Sequence, residues 1–286
     1  MRTAAAVLIA LLPSAAAAQW TIDAQGAWTY DDNLSRAQRE SDITRDHALE
    51  LRGALGRAFV VADGDMVLRG EARAGRYDTY TGLEHFALGI GAGWRRKLGI
   101  GLTAPWLAAD ASFFEEDYAE QVRDGRSAAL SLELGKRFGP RFDAALGAAY
   151  DWREQHDDLA TVPGFSGRPF SLQGRSLFLR GNLAFGESWL VFAAAAARDG
   201  DVVSSTRRNP AIFRESAAIA NDPAFGPDFI AYKLTGARTN SYTIGLSWAL
   251  RAKASLDAAV TNERTSARGG LDYDGNVYSV SLVYRD

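Results

Sequence analysis

The chain has 286 residues, 32 basic and 35 acidic, so its formal net charge is −3, and it contains no cysteine. The lack of cysteine excludes a disulfide framework and a thiolate metal site. The slightly acidic balance gives no reason to expect nucleic acid as a partner. The length fits one domain, since no linker or low-complexity segment divides the chain.

The amino terminus has the pattern of a secretory signal. Arg2 precedes an apolar run at 4–12, and Pro13 and the small residues 16–18 follow. We predict a signal peptide over residues 1–18, cleaved before Gln19, and a single barrel domain over 19–286. A transmembrane helix is the alternative, but the run is shorter than the roughly 20 residues that a span needs.

Alternation of apolar and polar side chains, which is typical of strands, begins directly after the signal. In the first strand Trp20, Ile22 and Trp28 share one parity and Thr21 and Asp23 the other. A polar loop follows at 31–45. Further strands are predicted at His47–Arg57, Met66–Arg76, His85–Arg95 and, less regularly because of Pro105, Leu102–Phe114.

The clearest alternation lies in a central hairpin. Its strands, Ser127–Phe138 and Phe142–Arg153, are joined by Gly139 and Pro140. Leu130, Leu132 and Leu134 share one face of the first strand, while serine and glutamate occupy the other. Such a strand has water on one side and an apolar medium on the other.

The second half of the chain continues the pattern after a polar loop at 155–173. Strands are predicted at Arg175–Phe185, Trp189–Ala197, Thr239–Leu250, Ala254–Glu263 and Asn276–Asp286. The strand from Trp189 is apolar on both parities, so its facing is ambiguous. Residues 199–238 form the longest interruption, within which Asn209 and Pro210 predict an N-capped short helix.

Twelve strands result, and most are longer than the five or six residues usual in soluble sheets. A tilted strand of about ten residues crosses a bilayer. Without helical spans, a membrane protein must be a closed barrel. We predict an all-β fold, a transmembrane antiparallel up-and-down β-barrel of about 12 strands, with short turns at one end, long polar loops at the other, and an aromatic girdle near each end. A soluble sandwich, the alternative, normally has shorter strands.

The closing strand carries Tyr278, Val280, Leu282 and Tyr284 in phase. It resembles the terminal strand of Gram-negative outer-membrane barrels, although Arg285 and Asp286 follow the last aromatic residue. The resemblance implies an outer-membrane location, periplasmic termini and recognition by the barrel-assembly machinery. The run 30–33, Tyr-Asp-Asp-Asn, also resembles a strand-to-loop junction in the barrel part of surface lipoprotein assembly modifiers, whose helical-repeat domain is absent here.

Charged side chains occupy the parity that should face the barrel interior. They could form a path for solutes, or an ion-pair network that fills a narrow lumen. Glycines at 89, 91 and 93 alternate within a strand, which favours making room in the lumen over a phosphate-binding loop. The predicted lumen-lining residues are Glu50, Arg52, Arg69, Glu71, Arg73, Arg95, Asp110, Glu133, Arg137, Asp143, Asp151, Arg153, Arg180 and Asp257, with Glu263 on the same parity.

We predict a porin-like channel for small solutes. The alternatives are a structural or secretion-associated barrel with a plugged lumen, and a lipid-modifying enzyme that uses His47, His85 or His156. The motifs of such enzymes are missing around these histidines, so we expect no enzymatic activity, and no cofactor or metal. The expected partners are outer-membrane lipid and lipopolysaccharide, the barrel-assembly machinery and small solutes.

Overall fold

The computed structural model describes residues 19–286, so the predicted signal peptide lies outside the described residues. These residues form one antiparallel sheet and a short helix, α1, at Pro210–Glu215. The strands are β1 Trp20–Asp31, β2 Asp46–Val61, β3 Gly64–Tyr77, β4 His85–Lys97, β5 Trp106–Tyr118, β6 Gly125–Arg137, β7 Phe142–Gln155, β8 Leu172–Phe185, β9 Trp189–Arg207, β10 Ala218–Asn221, β11 Phe229–Arg251, β12 Ala254–Ala267 and β13 Leu271–Arg285.

The sheet closes on itself. β1 pairs with both β2 and β13, and β11 pairs with both β12 and β9. Twelve strands therefore form a ring, and the short β10 adds only to the first part of β11. Closure leaves no strand edge in the ring, which is what hydrocarbon requires. The predicted fold class and strand number are confirmed.

The apolar parity faces outward. Leu130 and Leu132 on β6 are 57% and 53% exposed, while Glu133 beside them is buried. The aromatic rings of Phe185, Trp189 and Trp248 stack in a row at the short-turn end, with centroids 6.3 and 5.6 Å apart. An outward apolar belt bounded by aromatic rings is the surface of a barrel that lies in lipid. None of the helices within residues 19–286 is long and apolar enough to cross a bilayer.

Several strand boundaries differ from the prediction, most clearly at β5 and at the last connection. β5 runs from Trp106 rather than Leu102, because Gly99 and Gly101 adopt positive φ in a turn that ends at Pro105. It also continues to Tyr118, because inward-facing Glu116 binds Ser127 and Arg153 on the next two strands. The last long-loop connection was predicted at 264–274, but it is only a three-residue turn at 268–270.

The largest correction concerns residues 199–238, which the sequence indicated as an interruption. β9 continues to Arg207 and β11 begins at Phe229, so both strands extend beyond the ring. The predicted helix is confirmed: the Asn209 side chain accepts the amide hydrogen of Ala211, at 3.1 Å. It ends at Glu215, and the following apolar residues form β10 instead.

The structure also shows which residues of β9 point into the barrel. Arg198 pairs with Asp151 on β7 at 2.6 Å, so the even-numbered residues of this part of the strand point inward. The ring of Phe192 lies where a side chain at Gly245 would be, 2.1 Å from the position of its Cβ. Glycine on β11 therefore makes room for an inward aromatic side chain.

The two faces of β6 predict a strong contrast between neighbouring substitutions. Leu132→Lys places a cation in the lipid-facing belt and should lower the free energy of unfolding by about 2–4 kcal/mol. Ser131→Lys, on the opposite face, places the same cation across from Asp110 and should cost less than about 1 kcal/mol. Urea unfolding of the refolded protein in lipid vesicles measures both. Equal losses for the two variants would contradict the assignment of faces.

Candidate functional site: the charged wall and the cap

A cluster of arginines surrounds one buried carboxylate on the inner face. Glu71 on β3 accepts hydrogen bonds from Arg69 at 2.6 Å, Arg52 at 2.8 Å and Arg73 at 3.3 Å. Arg69 also reaches Asp110 on β5, at 2.9 Å, across the intervening strand β4. Since side chains of β3 and β5 meet across β4, these groups must lie on the inner, concave side of the sheet.

Glycines on β4 make this crossing possible. A Cβ at Gly91 would lie 2.8 Å from the Arg69 guanidinium carbon, and one at Gly93 would lie 3.2 Å from the Asp110 carboxylate. The ion pair therefore lies over a strip of bare backbone. The expectation that these glycines make room agrees with this geometry.

A second cluster lies on β5, β6 and β8. Glu133 accepts hydrogen bonds from the Trp106 indole at 3.2 Å and from Arg180 at 2.7 Å. The guanidinium of Arg95 stacks over the Trp106 ring, 4.5 Å from its centroid. Arg95 has no ion-pair partner among residues 19–286 of the structure. In the strand pair β3–β4, Arg95 lies opposite Asp65.

The other predicted residues are spread along the inner face. Arg153 pairs with Glu116 at 2.9 Å, near the long-loop end, and Arg198, which the sequence did not single out, pairs with Asp151. Asp143 accepts from Asn182 at 2.9 Å and Asp257 accepts from Ser247 at 2.6 Å. Glu50 and Arg137 have no ion-pair partner in the described part of the chain, and Glu263 lies 3.5 Å from Arg36. That these residues line a solute path stays a prediction.

The opposite wall of the barrel is neutral at mid-height. Pairs of threonine hydroxyls on β11 and β12 bind each other at 2.8 Å, Thr239 with Thr265 and Thr243 with Thr261. Alanines face them from β9. The charge of the inner face is therefore concentrated on β2–β8. This asymmetry is absent from the sequence prediction, because each strand taken alone shows only that its inner parity is polar.

A cavity of about 800 Å³ lies against the charged inner face at the short-turn end, and its lining residues come from β1–β6, β8 and the end of the chain. Its charged lining residues are five arginines and five acids, namely Arg52, Arg69, Arg95, Arg180, Arg285, Asp23, Asp65, Asp110, Glu133 and Asp286. Its volume is in the range of sites that hold a small molecule.

The long-loop end is covered by the segment 199–238, which we call the cap. Residues of both parities are buried in its strands, for example Ser204 and Ser205, and Ala231 and Tyr232. A hairpin standing in solvent would bury one face at most. The cap therefore packs against other parts of the chain on both sides.

The cap contacts every other long-loop connection. Ser205 donates to the carbonyl oxygen of Ser35 at 2.9 Å, and Ile219 donates to that of Ser166 at 2.8 Å. Apolar contacts join Phe225 to Leu83 and Ile212 to Leu271. The fifth contact, to the β5–β6 connection, is an ion pair with Arg123. One segment can contact loops all around the ring only if it crosses the mouth of the barrel.

That ion pair is the best-buried one of the cap. Asp222 has a fully buried side chain and receives two hydrogen bonds from Arg123, at 2.6 and 3.3 Å, and one from Ser205. The guanidinium lies 4.3 Å from the centroid of the Phe170 ring and 5.4 Å from that of Phe225. Because both partners are removed from bulk water, losing either one leaves a charge that the surroundings cannot solvate.

The bend that directs the cap inward has a local cause. The register between β11 and β9 shifts between Leu234 and Ala237, and Gly236 within this bulge has φ of 66°. A bulge bends its strand and increases its twist, and the left-handed conformation there favours glycine. On β9, which pairs with β11 at this point, a Cβ at Gly200 would lie 2.4 Å from a backbone oxygen atom.

Two smaller cavities, of about 410 and 340 Å³, lie beside and beneath the cap. They share Leu172 and Asp201 as lining residues. The larger is also lined by Lys233, which pairs with Asp201 at 3.0 Å. The cap thus fills much of the mouth and leaves polar spaces along one side.

The three histidines do not assemble a hydrolytic site with one another. The His47 ring stacks on Trp28 with centroids 4.8 Å apart, and His85 lies 3.2 Å from the carbonyl oxygen of Leu83. His156 lies 2.7 Å from Glu115. Within residues 19–286 no group of three His, Cys, Asp or Glu side chains is placed to hold a metal ion. That the chain has no enzymatic activity stays a prediction.

Comparison with known proteins finds no matching family model and no curated relative. Among solved structures, an outer membrane channel from Pseudomonas putida F1 is similar with a TM-score of 0.59 and 11% identity, over 93% of this chain and 95% of that one. The NanC porin gives 0.46 and 8%, over 92% and 98%. The outer membrane channel DcaP of Acinetobacter baumannii gives 0.44 and 9%, over 94% and 97%. The likeness to the Pseudomonas protein shows that this chain has the fold of an outer-membrane β-barrel.

The Arg123–Asp222 pair predicts how the cap can be loosened. Arg123→Ala leaves Asp222 buried without a cation, which should weaken the docking of the cap by about 3–5 kcal/mol. Proteinase K should then cut within residues 199–238 faster than in the unchanged protein, while the heat-dependent gel shift of the barrel stays. Arg214→Ala, an exposed arginine of α1, is the matched control. Equal cleavage of both variants would show that the pair does not hold the cap.

Proposed function

We propose that this protein is a channel of the bacterial outer membrane for small hydrophilic solutes. The observation that carries the proposal is the cavity of about 800 Å³ inside a closed barrel, lined by charged side chains of both signs. A barrel whose lumen only has to be filled would pack side chains from both walls against each other. The likeness in fold to a protein described as an outer membrane channel agrees with this.

The predicted lumen-lining residues fit such a path. Glu71, Arg69 and Asp110 form the fixed part of the charged wall, because each is held by two or more hydrogen bonds or ion pairs. Arg52 and Arg180 extend from this wall into the cavity. Charged groups line a lumen at low cost where water or opposite charges reach them.

The orientation follows from the lengths of the connections. In bacterial barrels the short turns are periplasmic and the long loops are outside. The short connections here include 62–63, 186–188 and 252–253, at the end where both described termini lie. The cap would therefore lie on the outer side, and the cavity of about 800 Å³ would open toward the periplasm.

A plugged structural or secretion-associated barrel is the second candidate, and the cap is the observation that favours it. The cap contacts the other long loops, and two cavities of about 410 and 340 Å³ lie beside and beneath it. The two functions differ in whether ions pass the mouth.

Planar-bilayer recording separates these two candidates. We expect the refolded mature chain to give discrete conductance steps, and Arg123→Ala to give larger or more frequent ones, because loosening the cap widens the mouth. Arg214→Ala should conduct like the unchanged protein. If the unchanged protein and Arg123→Ala are both silent, although both show the gel shift of a folded barrel, the channel proposal is wrong and the plugged barrel is favoured.

A further inference from the structure

We propose that the cavity at the short-turn end binds small organic anions that carry carboxylate groups. We call it the arginine basin and define it by Arg52, Arg69, Arg95 and Arg180, which line it together. This inference rests on the proposed channel function and deepens it, since it names the class of solute that the channel would favour.

The first argument is the layering of charge. Two of the carboxylates that hold the basin arginines are covered: the side chains of Glu71 and Glu133 are 0% and 10% exposed, whereas Asp110, which pairs with Arg69, is 46% exposed. The guanidinium-bearing side chains above them, Arg52 and Arg180, are 47% and 53% exposed. At Glu71 and Glu133 a solute in the cavity therefore contacts the cationic partners, whereas at the Arg69–Asp110 pair the acid is the more exposed partner.

The second argument is the number of free donors. A guanidinium has five N–H groups, and Arg52 uses only Nη2, toward Glu71. Arg95 stacks on Trp106 and has no ion-pair partner in residues 19–286. Both therefore keep donors directed at the cavity, and a planar guanidinium binds carboxylate with paired hydrogen bonds.

The exposed carboxylates of the basin do not cancel the attraction of these arginines for an anion. Asp110 is paired with Arg69 at 2.9 Å, and Asp23 is paired with Arg285 at 3.0 Å. Asp65 faces Arg95 across the strand pair without reaching it. The mid-height wall opposite is lined by threonine hydroxyls and alanines. Asp286, a further lining acid, pairs with Lys253. An anion in the basin therefore meets the free donors of Arg52 and Arg95, and Asp65 is the one lining acid without an ion-pair partner in residues 19–286.

The two cavities at the cap have an excess of cationic lining residues. The cavity of about 340 Å³ beneath the cap is lined by three arginines and two acids, namely Arg36, Arg123, Arg198, Asp201 and Glu263. The cavity of about 410 Å³ beside it has Arg153, Arg168 and Lys233 with Glu154 and Asp201. An excess of one sign raises the local concentration of the opposite ion at that end of the barrel.

The test uses a variant that keeps the scaffold. In Arg52→Gln/Arg95→Gln, Glu71 still has Arg69 and Arg73, and no ion pair of Arg95 is lost. We expect the chloride-to-potassium permeability ratio, from reversal potentials in a KCl gradient, to fall by about threefold to fivefold. Citrate added to either side should block the current of the unchanged protein, and the double variant should need several times more citrate for the same block.

The matched control is Arg175→Gln/Arg264→Gln, which removes two exposed outward arginines of β8 and β12. It should leave both the permeability ratio and the citrate block unchanged. If the basin variant behaves like this control, or if the unchanged channel prefers potassium, the inference is wrong.

Failure of the channel proposal can be told apart from failure of this inference. If the folded protein conducts nothing, calorimetric titration of citrate into the detergent-solubilised protein still tests the basin. Binding to the unchanged protein and to the Arg175→Gln/Arg264→Gln control, with loss in Arg52→Gln/Arg95→Gln, supports the basin. An absence of binding to the unchanged protein, or equal binding to all three, overturns it.

Discussion

The structure depends on one constraint: in hydrocarbon, every backbone N–H and C=O group must find its partner within the chain. The pairing of β1 with β13 meets this constraint by closing the ring. Closure creates two media, lipid outside and an enclosed space inside, and the alternation of each strand sorts side chains between them. The placement of Leu132 in the belt and Glu133 in the interior follows directly from that sorting.

Inside the ring, the charged groups are arranged by what the backbone leaves room for. Bare backbone at Gly91 and Gly93 lets Arg69 reach Asp110 over an intervening strand. Glu71 and Glu133 are covered while Arg52 and Arg180 are exposed, whereas Asp110 is more exposed than the Arg69 that it binds. Where carboxylates are buried below guanidinium groups, the ion pairs fix the side chains and the exposed surface is still cationic. If both partners of each pair were equally exposed, the surface would have no net charge.

Period-two alternation was enough to predict the twelve-strand barrel and the inward parity of residues such as Glu71 and Arg180, because hydrocarbon acts on every membrane-facing residue in the same way. It could not show which inward groups meet, since that depends on register and on the spacing of strands around the ring. It also failed for the cap: Ala231 and Tyr232 are both buried, so the two-sided contrast that marks a strand is missing there.

The cap is continuous with the wall of the barrel, since β9 and β11 are neighbouring strands of the ring before they enter it. From Gly236 to Phe229 the strand spans about 23 Å at roughly 3.3 Å per residue. A rotation of about 20° at that glycine would carry the far tip about 8 Å. The segment is thus joined to the rim of the barrel at Gly236, and a rotation there could move its tip by the width of a hydrated ion only after contacts such as Arg123–Asp222 were lost.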